Sequence, residues 1–290
     1  MHTFDTLFIL FFRHTQRLFA LLPQRAVLLC KPLLAAGCIL WLVMLQSCAT
    51  PQRTTTTATT NKSPSAVHAS IIESMNKRQT TLTSLHAEGT LSASARGARQ
   101  SVTFEGNLYK RDSLYLALYG PLGITVGKLQ SIPTFAQFYY VLDNTVYEGE
   151  PTRKNFMQFN IPISYNEVTT FLRGEVPGGF DGFVAQQHDK VGEELYRRQK
   201  DSTVERLVYS TADQAIVEYQ VKHLDGTELM YVKCGNFAPV AGLQLAQDLF
   251  FQFPSSNSSL TIQCSAVQAN LPNQKYSFPL PAAPRRKFGR

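Results

Sequence analysis

Along most of the chain, apolar residues recur at every second position. Leu85, Ala87, Gly89, Leu91 and Ala93 alternate with polar neighbours, and Val102, Phe104, Gly106 and Leu108 do the same. A period of two puts alternate side chains on opposite faces of a strand, so each run predicts a strand with one buried face. Leu114, Leu116 and Leu118 alternate instead with Ser113, Tyr115, Ala117 and Tyr119, which makes that strand apolar on both faces. Further strands are predicted over 124–129, 135–142 and 145–148. Arg96-Gly97, Arg111-Asp112, Gly120-Pro121 and Asp143-Asn144 supply the turns between them. Short neighbouring strands of this kind predict an antiparallel meander.

The same rhythm returns later, over 194–199, 204–210, 215–221, 228–234, 241–246 and 259–267. Two segments follow a helical period instead. Pro64 and Ser65 suit a helix start, and Val67, Ile71, Ile72 and Met75 recur at helical spacing up to about Lys77–Thr80. Asn166 to Leu172 carries Val168, Phe171 and Leu172 on one face, with Gly174 as the stop and Pro177-Gly178-Gly179 as a loop. The proline-rich segment from Pro272 to Arg290 is expected to be extended or disordered. The expected fold is mainly β with a few helices. It is a curled antiparallel sheet of about eleven strands, forming a half barrel lidded by helices, because a sheet that long does not stay flat. An apolar concave face on such a sheet makes a pocket or groove.

The first residues are of another kind. An apolar run from Leu33 to Met44 is preceded by Arg13, Arg17, Arg25 and Lys31 and followed by Leu45-Gln46-Ser47-Cys48. The run is shorter than the ~20 residues of a membrane-spanning helix. This is the layout of an export signal. Its final four residues resemble the lipobox of bacterial lipoproteins. The resemblance implies cleavage before Cys48 and acylation of its thiol and new amine, palmitate included, so that Cys48 becomes a membrane anchor. An uncleaved anchor is the alternative. A multiply acylated Cys48 would not leave the membrane unaided, since each buried methylene contributes about 0.8 kcal/mol. The organisation expected is a signal peptide over 1–47, a lipidated cysteine with a Thr-rich tether over 48–64, one domain over 65–270, and a Pro-rich basic tail over 271–290. The tether, ATPQRTTTTATTNKSP after Cys48, has little to bury and reaches about 20 Å from a bilayer. No Asp follows Cys48. By resemblance to enterobacterial sorting rules, this favours the periplasmic face of the outer membrane.

Charge adds little. The chain holds 28 Lys and Arg against 21 Asp and Glu, net +7. Without residues 1–47, which contain four basic residues and Asp5, 24 basic and 20 acidic remain, net +4. Arg285, Arg286, Lys287 and Arg290 account for that excess. The high pI therefore comes from the two ends, not from a nucleic-acid-binding face, and no nucleic-acid partner is expected. The basic end is either a solvated tail or a segment drawn to anionic headgroups. Beyond the leader and Cys48, the cysteines are Cys234 and Cys264, open to a cross-strand disulfide or to two buried thiols. His68, His86, His188 and His223 show no metal-ligand spacing, and no HExxH, G-x-S-x-G, P-loop or dinucleotide pattern occurs. Glu193-Glu194 and Glu148/Glu150 read as solvated charge at turns or strand edges. No catalytic residue, metal or cofactor is expected.

The stretch GTLSA…VTFEGNLYKRDSLYLALYGPLGITVGKL, residues 89–129, resembles the LolA/LolB-like lipoprotein-carrier superfamily, most nearly the LolB acceptor. The shared features are a G-x-[LF] strand and a Pro-Leu-Gly hairpin turn, here Pro121-Leu122-Gly123. Phe171-Leu172-Arg173-Gly174 followed by Val176-Pro177-Gly178 is similar to the family's WLRG-x-P element. Phe171 stands where tryptophan is usual, and the one Trp, Trp41, lies in the leader, which sets the chain on a branch apart. The resemblance spans about 65–270. It implies an eleven-stranded half barrel whose cavity takes the acyl chains of a lipoprotein or phospholipid, with a periplasmic carrier protein as a donor. Alternation makes Leu91, Phe104, Leu116, Ile124 and Val126 the candidate lining, or else ordinary core. The resemblance also implies that Leu122, between Pro121 and Gly123, contacts the membrane; folding back onto its own sheet is the alternative. A non-enzymatic envelope scaffold docking a partner protein, by strand addition at an exposed edge, is the competing function.

Overall fold

A computed structural model describes residues 64–109, 113–151, 161–271, 279–281 and 284–288. The leader, Cys48 and the tether lie outside the described residues. Helix α1 spans Pro64–Thr81. Strands β1 (Ser84–Ala95), β2 (Ala98–Tyr109), β3 (Ser113–Tyr119), β4 (Thr125–Ile132), β5 (Phe135–Tyr140) and β6 (Thr145–Gly149) follow, then helix α2 (Tyr165–Leu172). The chain continues through β7 (Val184–Gln186), β8 (Glu193–Lys200), β9 (Thr203–Ser210), β10 (Ala215–His223) and β11 (Glu228–Val240). It ends with β12 (Leu243–Phe253), β13 (Ser258–Ala269) and β14 (Arg285–Phe288).

All fourteen strands join one large curled open sheet, in the order β14-β6-β5-β4-β3-β2-β1-β13-β12-β11-β10-β9-β8-β7. Every pairing is antiparallel except β14 on β6. The two halves of the meander are closed on each other by β1 and β13, with Leu85 opposite Ala269 and Ala95 opposite Ser258.

The count corrects the expected eleven or so. Twelve strands coincide at least in part with the alternating runs, and two short ones, β7 and β14, carry no alternating pattern: one reads VAQ, the other RRKF. The tail expected to be extended or disordered supplies β14. Strand β11 also runs past Cys234 to Val240, through Asn236 and Pro239. Proline is tolerated there because β10 pairs only with residues 228–233 of β11, so Pro239 has a strand on one side alone. The segment expected as a strand over 241–246 begins instead with a turn at Ala241-Gly242, both at positive φ.

Cys234 lies on β11 and Cys264 on β13, with β12 between them, and both are free. Two strand spacings are about 9.6 Å, beyond the ~7 Å Cα limit of a disulfide. The thiols are therefore free rather than bridged, Cys234 buried and Cys264 half-buried. Burial pushes the Cys234 thiol up to about 12. Burial and then the Asp248 charge push Cys264 up to about 11.

Both helices lie on one face of the sheet. Ile71 and Met75 of α1 and Val168 and Phe171 of α2 share a core with Val232, Leu249, Phe251 and Ile262. A second core, around Leu85, Leu108, Leu114 and Leu129, takes in Tyr165 and Leu245. The buried stripe of α1 continues from Ile71 and Met75 to Arg78, while Ile72, expected on that face, is 37 % exposed.

Helix α2 is fixed at both ends. Ser164 accepts from the Glu167 N–H and Glu167 accepts from the Ser164 N–H, a capping box. At its far end the Gly174 N–H donates to Phe171 O (2.8 Å) and the Glu175 N–H to Thr170 O (3.0 Å). That pair of bonds is a Schellman motif, and it needs the left-handed backbone of Gly174, φ +67°. A Cβ on Gly174 would lie 2.6 Å from Nη1 of Arg78, whose guanidinium is pinned by two backbone carbonyls.

Gly174→Ala is expected to lower stability by more than the ~1–2 kcal/mol of a left-handed alanine. Gly97→Ala is the comparison: Gly97 also has positive φ, but nothing lies within 4 Å of its added Cβ. Urea midpoints that drop equally for the two variants would show that Arg78 does not sense residue 174. Alkaline pH gives a second test. The folded chain keeps the Cys234 thiol neutral to about 12, whereas its ordinary value is 9.0. Its contribution is complete below about pH 9 and is lost as pH rises toward 12, by at most ~1.4 kcal/mol per unit. Cys234→Ala should flatten the fall in urea midpoint above pH 9, and an unchanged slope would refute the assignment.

Candidate functional site

The antiparallel meander sends hairpin tips to two rims. The tips at 96–97, 120–124, 141–144, 201–202, 224–227 and 254–257 share one rim, here the upper. Those at 133–134, 211–214 and 241–242, with the 187–192 connection, share the lower.

On β1–β5 the helix-bearing face is graded from one rim to the other. At its lower end Leu85, Leu108, Leu114 and Ala136 are buried, and Leu129, one step up, is buried too. Going up, Leu91 and Ala93 on β1, Leu116 and Leu118 on β3, and Phe138 and Tyr140 on β5 are only half-buried. The register puts these residues side by side: Leu116 opposite Leu129, Leu129 opposite Phe138, Leu118 opposite Phe104. Gly106 and Gly127 admit their large neighbours; a Cβ on Gly127 would meet the Phe138 ring at 2.7 Å. The apolar strip then passes onto the rim, where Leu122 is 97 %, Ile124 58 % and Leu142 42 % exposed.

The sequence-predicted residues fall on different parts of this strip. Phe104 is buried in the main core. Leu91 and Leu116 are half-buried at the margin of that core, and Leu116 also touches the second core. Val126 is half-buried at the bulge between β3 and β4, with Cγ1 3.0 Å from where a Gly120 Cβ would stand. Ile124 departs from its expected place in the lining. Its carbonyl closes the hairpin by accepting from the Gly120 N–H (2.8 Å), which leaves its side chain at the rim. Pro121, Leu122 and Gly123 are exposed, and Cys48 lies outside the described residues. Leu118, Phe138 and Leu142 lie in the same alternation and are further members of the strip that the sequence reading does not name as lining.

Leu122 has φ 61° and ψ 20°. It is the second central residue of the turn closed by the Gly123 N–H on Gly120 O (3.3 Å), where glycine or asparagine is the usual choice. A left-handed leucine costs about 1–2 kcal/mol, and this one recovers nothing by burial.

The other half of the face is filled, and buried arginines fasten it. Arg198 on β8 donates Nε to Glu205 Oε2 (3.0 Å) and Nη2 to the same oxygen (2.5 Å). Its remaining donors reach the carbonyls of Gly179 (2.9 Å), Asp181 (3.0 Å) and Pro177 (2.9 Å). The guanidinium also stacks 4.3 Å from the Phe183 ring centroid. One side chain thus ties the whole 177–183 loop to the sheet. Arg78 donates Nη1 to Gln244 O (2.8 Å) and Nη2 to Gln214 O (2.6 Å), joining α1 to the start of β12 and to the 211–214 turn at the lower rim. Burial draws its pKa down, and the Tyr209 and Glu175 charges oppose that. Sequence reasoning missed both arginines; the signal for Arg78 was its place seven residues after Ile71, on the apolar stripe.

A pocket of about 200 Å³ lies between the C-terminal ends of the helices, lined by Met75, Gln79, Thr170, Arg173 and Phe180. It is smaller than the ~300–1,000 Å³ of a ligand site and sits away from the graded strip. Among the described residues no cluster of His, Cys, Asp and Glu could hold a metal ion. Among them, too, no helix is long and apolar enough to cross a membrane.

No family model matches the chain, and no curated protein matches it in sequence. Solved structures do match. A DUF1329 family protein from Desulfovibrio piger superposes with a TM-score of 0.53 at 10 % identity, covering 73 % of this chain and 96 % of that one. A LolA superfamily protein from Nitrosomonas europaea gives a TM-score of 0.48 at 10 % identity, over 71 % and 94 % of the two chains. A domain from Vibrio parahaemolyticus, provisionally assigned to outer-membrane lipoprotein sorting, gives 0.49 at 10 %, over 70 % and 94 %. At these identities the likeness is one of fold.

Arg198→Ala is expected to cost about 3–5 kcal/mol, because Glu205 is left buried without its cation. Replacing both partners, Arg198→Met with Glu205→Leu, should recover part of that loss. A single variant within ~1 kcal/mol of the parent in urea unfolding would show that the 177–183 loop holds without it.

Proposed function

We propose that this protein is a lipoprotein anchored through Cys48 in the outer membrane, and that its half barrel receives acyl chains and passes them to the bilayer. The observation that carries this reading is the continuous apolar strip from half-buried Leu116 and Phe138 to the exposed Leu122. Acyl chains need such a strip to leave water on one side and enter lipid on the other. The cargo is an acylated lipoprotein or a phospholipid, delivered by a periplasmic carrier. The helices act as a lid over the filled half and leave the β1–β5 half open. No chemistry is required, and transfer runs down an affinity gradient. Leu122 is the residue that meets the bilayer; one immersed leucine contributes about 1.5–3 kcal/mol.

A second reading is favoured by one feature. Strand β7 ends the sheet, its three residues are all exposed, and Val184 is 62 % exposed. An extended segment of a partner protein could pair with it, making the molecule an envelope scaffold.

The two readings separate in native mass spectrometry of residues 65–290 purified from a bacterial envelope without detergent. A carrier or acceptor retains a mass matching a phospholipid or acylated peptide, and Leu116→Arg loses it. Leu122→Glu should keep uptake of a fluorescent fatty-acid probe but slow its transfer to vesicles by about tenfold or more, the loss of one immersed leucine. A bare monomer that takes up no probe would end the acyl-chain reading in favour of the scaffold.

A further inference from the structure

We infer that the protein docks on anionic bilayers by one half of its upper rim only. In this docking Leu122 and Leu142 are immersed, and Arg96, Arg99 and Arg285 lie at the headgroups. This rests on the reading that the Leu122 tip meets lipid, and adds which other tips do so and which lipid they select.

The topology supplies the juxtaposition. The hairpins β1–β2, β3–β4 and β5–β6 open on the same rim, from neighbouring strands. Their tips carry exposed Arg96 and Arg99, exposed Leu122 and Ile124, and Leu142 at 42 % exposure. The C-terminal strand β14 adds a further cation there. It runs parallel to β6 with Arg285 opposite Thr145, at the upper end of the strand. The Arg285 N–H donates to Asn144 O (2.9 Å) and its Nη2 to Asp143 O (3.0 Å), so the Asp143 carbonyl holds the guanidinium beside the Leu142 tip. Arg286, by contrast, is paired with Glu148 at 2.6 Å and belongs to the fold.

The other half of the rim lacks this excess of cations. The first half sets Arg96, Arg99 and Arg285 against the one carboxylate of Asp143, whereas the β8–β9 tip places exposed Asp201 next to exposed Lys200 and the β10–β11 tip carries Asp225 beside Leu224. The Asp225 carboxylate accepts from the Thr227 N–H (2.8 Å), and that bond holds it in its charged form. An anionic surface attracts the first half more strongly than the second. The apolar side chains supply immersion and the cations supply lipid selection. The molecule therefore settles tilted, with the open end of the Leu116–Phe138 strip against the bilayer.

The test uses the full chain, expressed with its leader in a Gram-negative bacterium, with Trp41→Phe removing the only tryptophan. Single reporters are placed by Leu122→Trp, Leu142→Trp, Leu224→Trp and Val191→Trp. Val191 is 99 % exposed and lies at the lower rim. The proteins are reconstituted in vesicles of brominated phosphatidylcholine with or without about one third phosphatidylglycerol, a charge comparable to an anionic leaflet. The reporters at 122 and 142 should be quenched several-fold more than those at 224 and 191. Quenching at 142 should fall at least twofold without phosphatidylglycerol, and likewise with Arg96→Glu or Arg285→Glu. Quenching at 122 with none at 142, or quenching indifferent to lipid charge and to both substitutions, would overturn this docking geometry and leave tip insertion standing. Absence of quenching at 122 as well would overturn both.

Discussion

Everything in this fold turns on a mismatch of areas. Thirteen spacings across a fourteen-stranded sheet span about 62 Å of arc. The described helices that cover one face of it have 18 and 8 residues, about 27 Å and 12 Å of helix. They cannot cover that face. They concentrate on β8–β13, where Tyr196, Leu207, Val232 and Phe251 are almost wholly buried. What they leave is the upper part of β1–β5. That half-covered apolar surface is what the proposed acyl-chain site rests on.

The covered half explains why the uncovered half can persist. Buried arginines carry much of the fastening there. Arg198 gathers three loop carbonyls and a carboxylate, and Arg78 gathers the 211–214 turn and the start of β12. Buried charge of this kind is weak evidence for net stability, since desolvation offsets most of the attraction. Its effect is to fix geometry: the 177–183 loop and the 211–214 turn each have one place to be. With the helices held to β8–β13, they have no freedom to slide over β1–β5 and close the strip.

Much of this was legible in the alternation of residues. Period two located β1 to β6 and β8 to β10, and the Asn166–Gly174 pattern located α2 within a residue at its start. Two kinds of feature were not legible. The first is pairing that depends on an edge: β7 and β14 have no pattern of their own, and β11 continues through Pro239 only because β10 stops short of it. The second is the buried cation. A helical stripe of Ile71 and Met75 calls for another apolar residue, and Arg78 occupies that place because two carbonyls converge on it. For the strip itself, alternation named the face but could not grade it. Phe104, Leu116 and Ile124 are equivalent in pattern, yet Phe104 is buried, Leu116 half-buried and Ile124 exposed at the rim.

That gradation gives Leu122 its meaning. A left-handed leucine in a turn is a local conflict between residue and backbone, of a kind that folded chains retain chiefly where a function offsets it. Glycine would relieve the strain, and any polar residue would relieve the exposure. The conflict resolves if the side chain is buried in a phase that the soluble fold does not contain. The neighbouring tips fit the same logic: Leu142 lies beside Arg285 on one side of Leu122, and exposed Arg96 and Arg99 stand on the tip at its other side, an excess of cations that the tips of the filled half do not have.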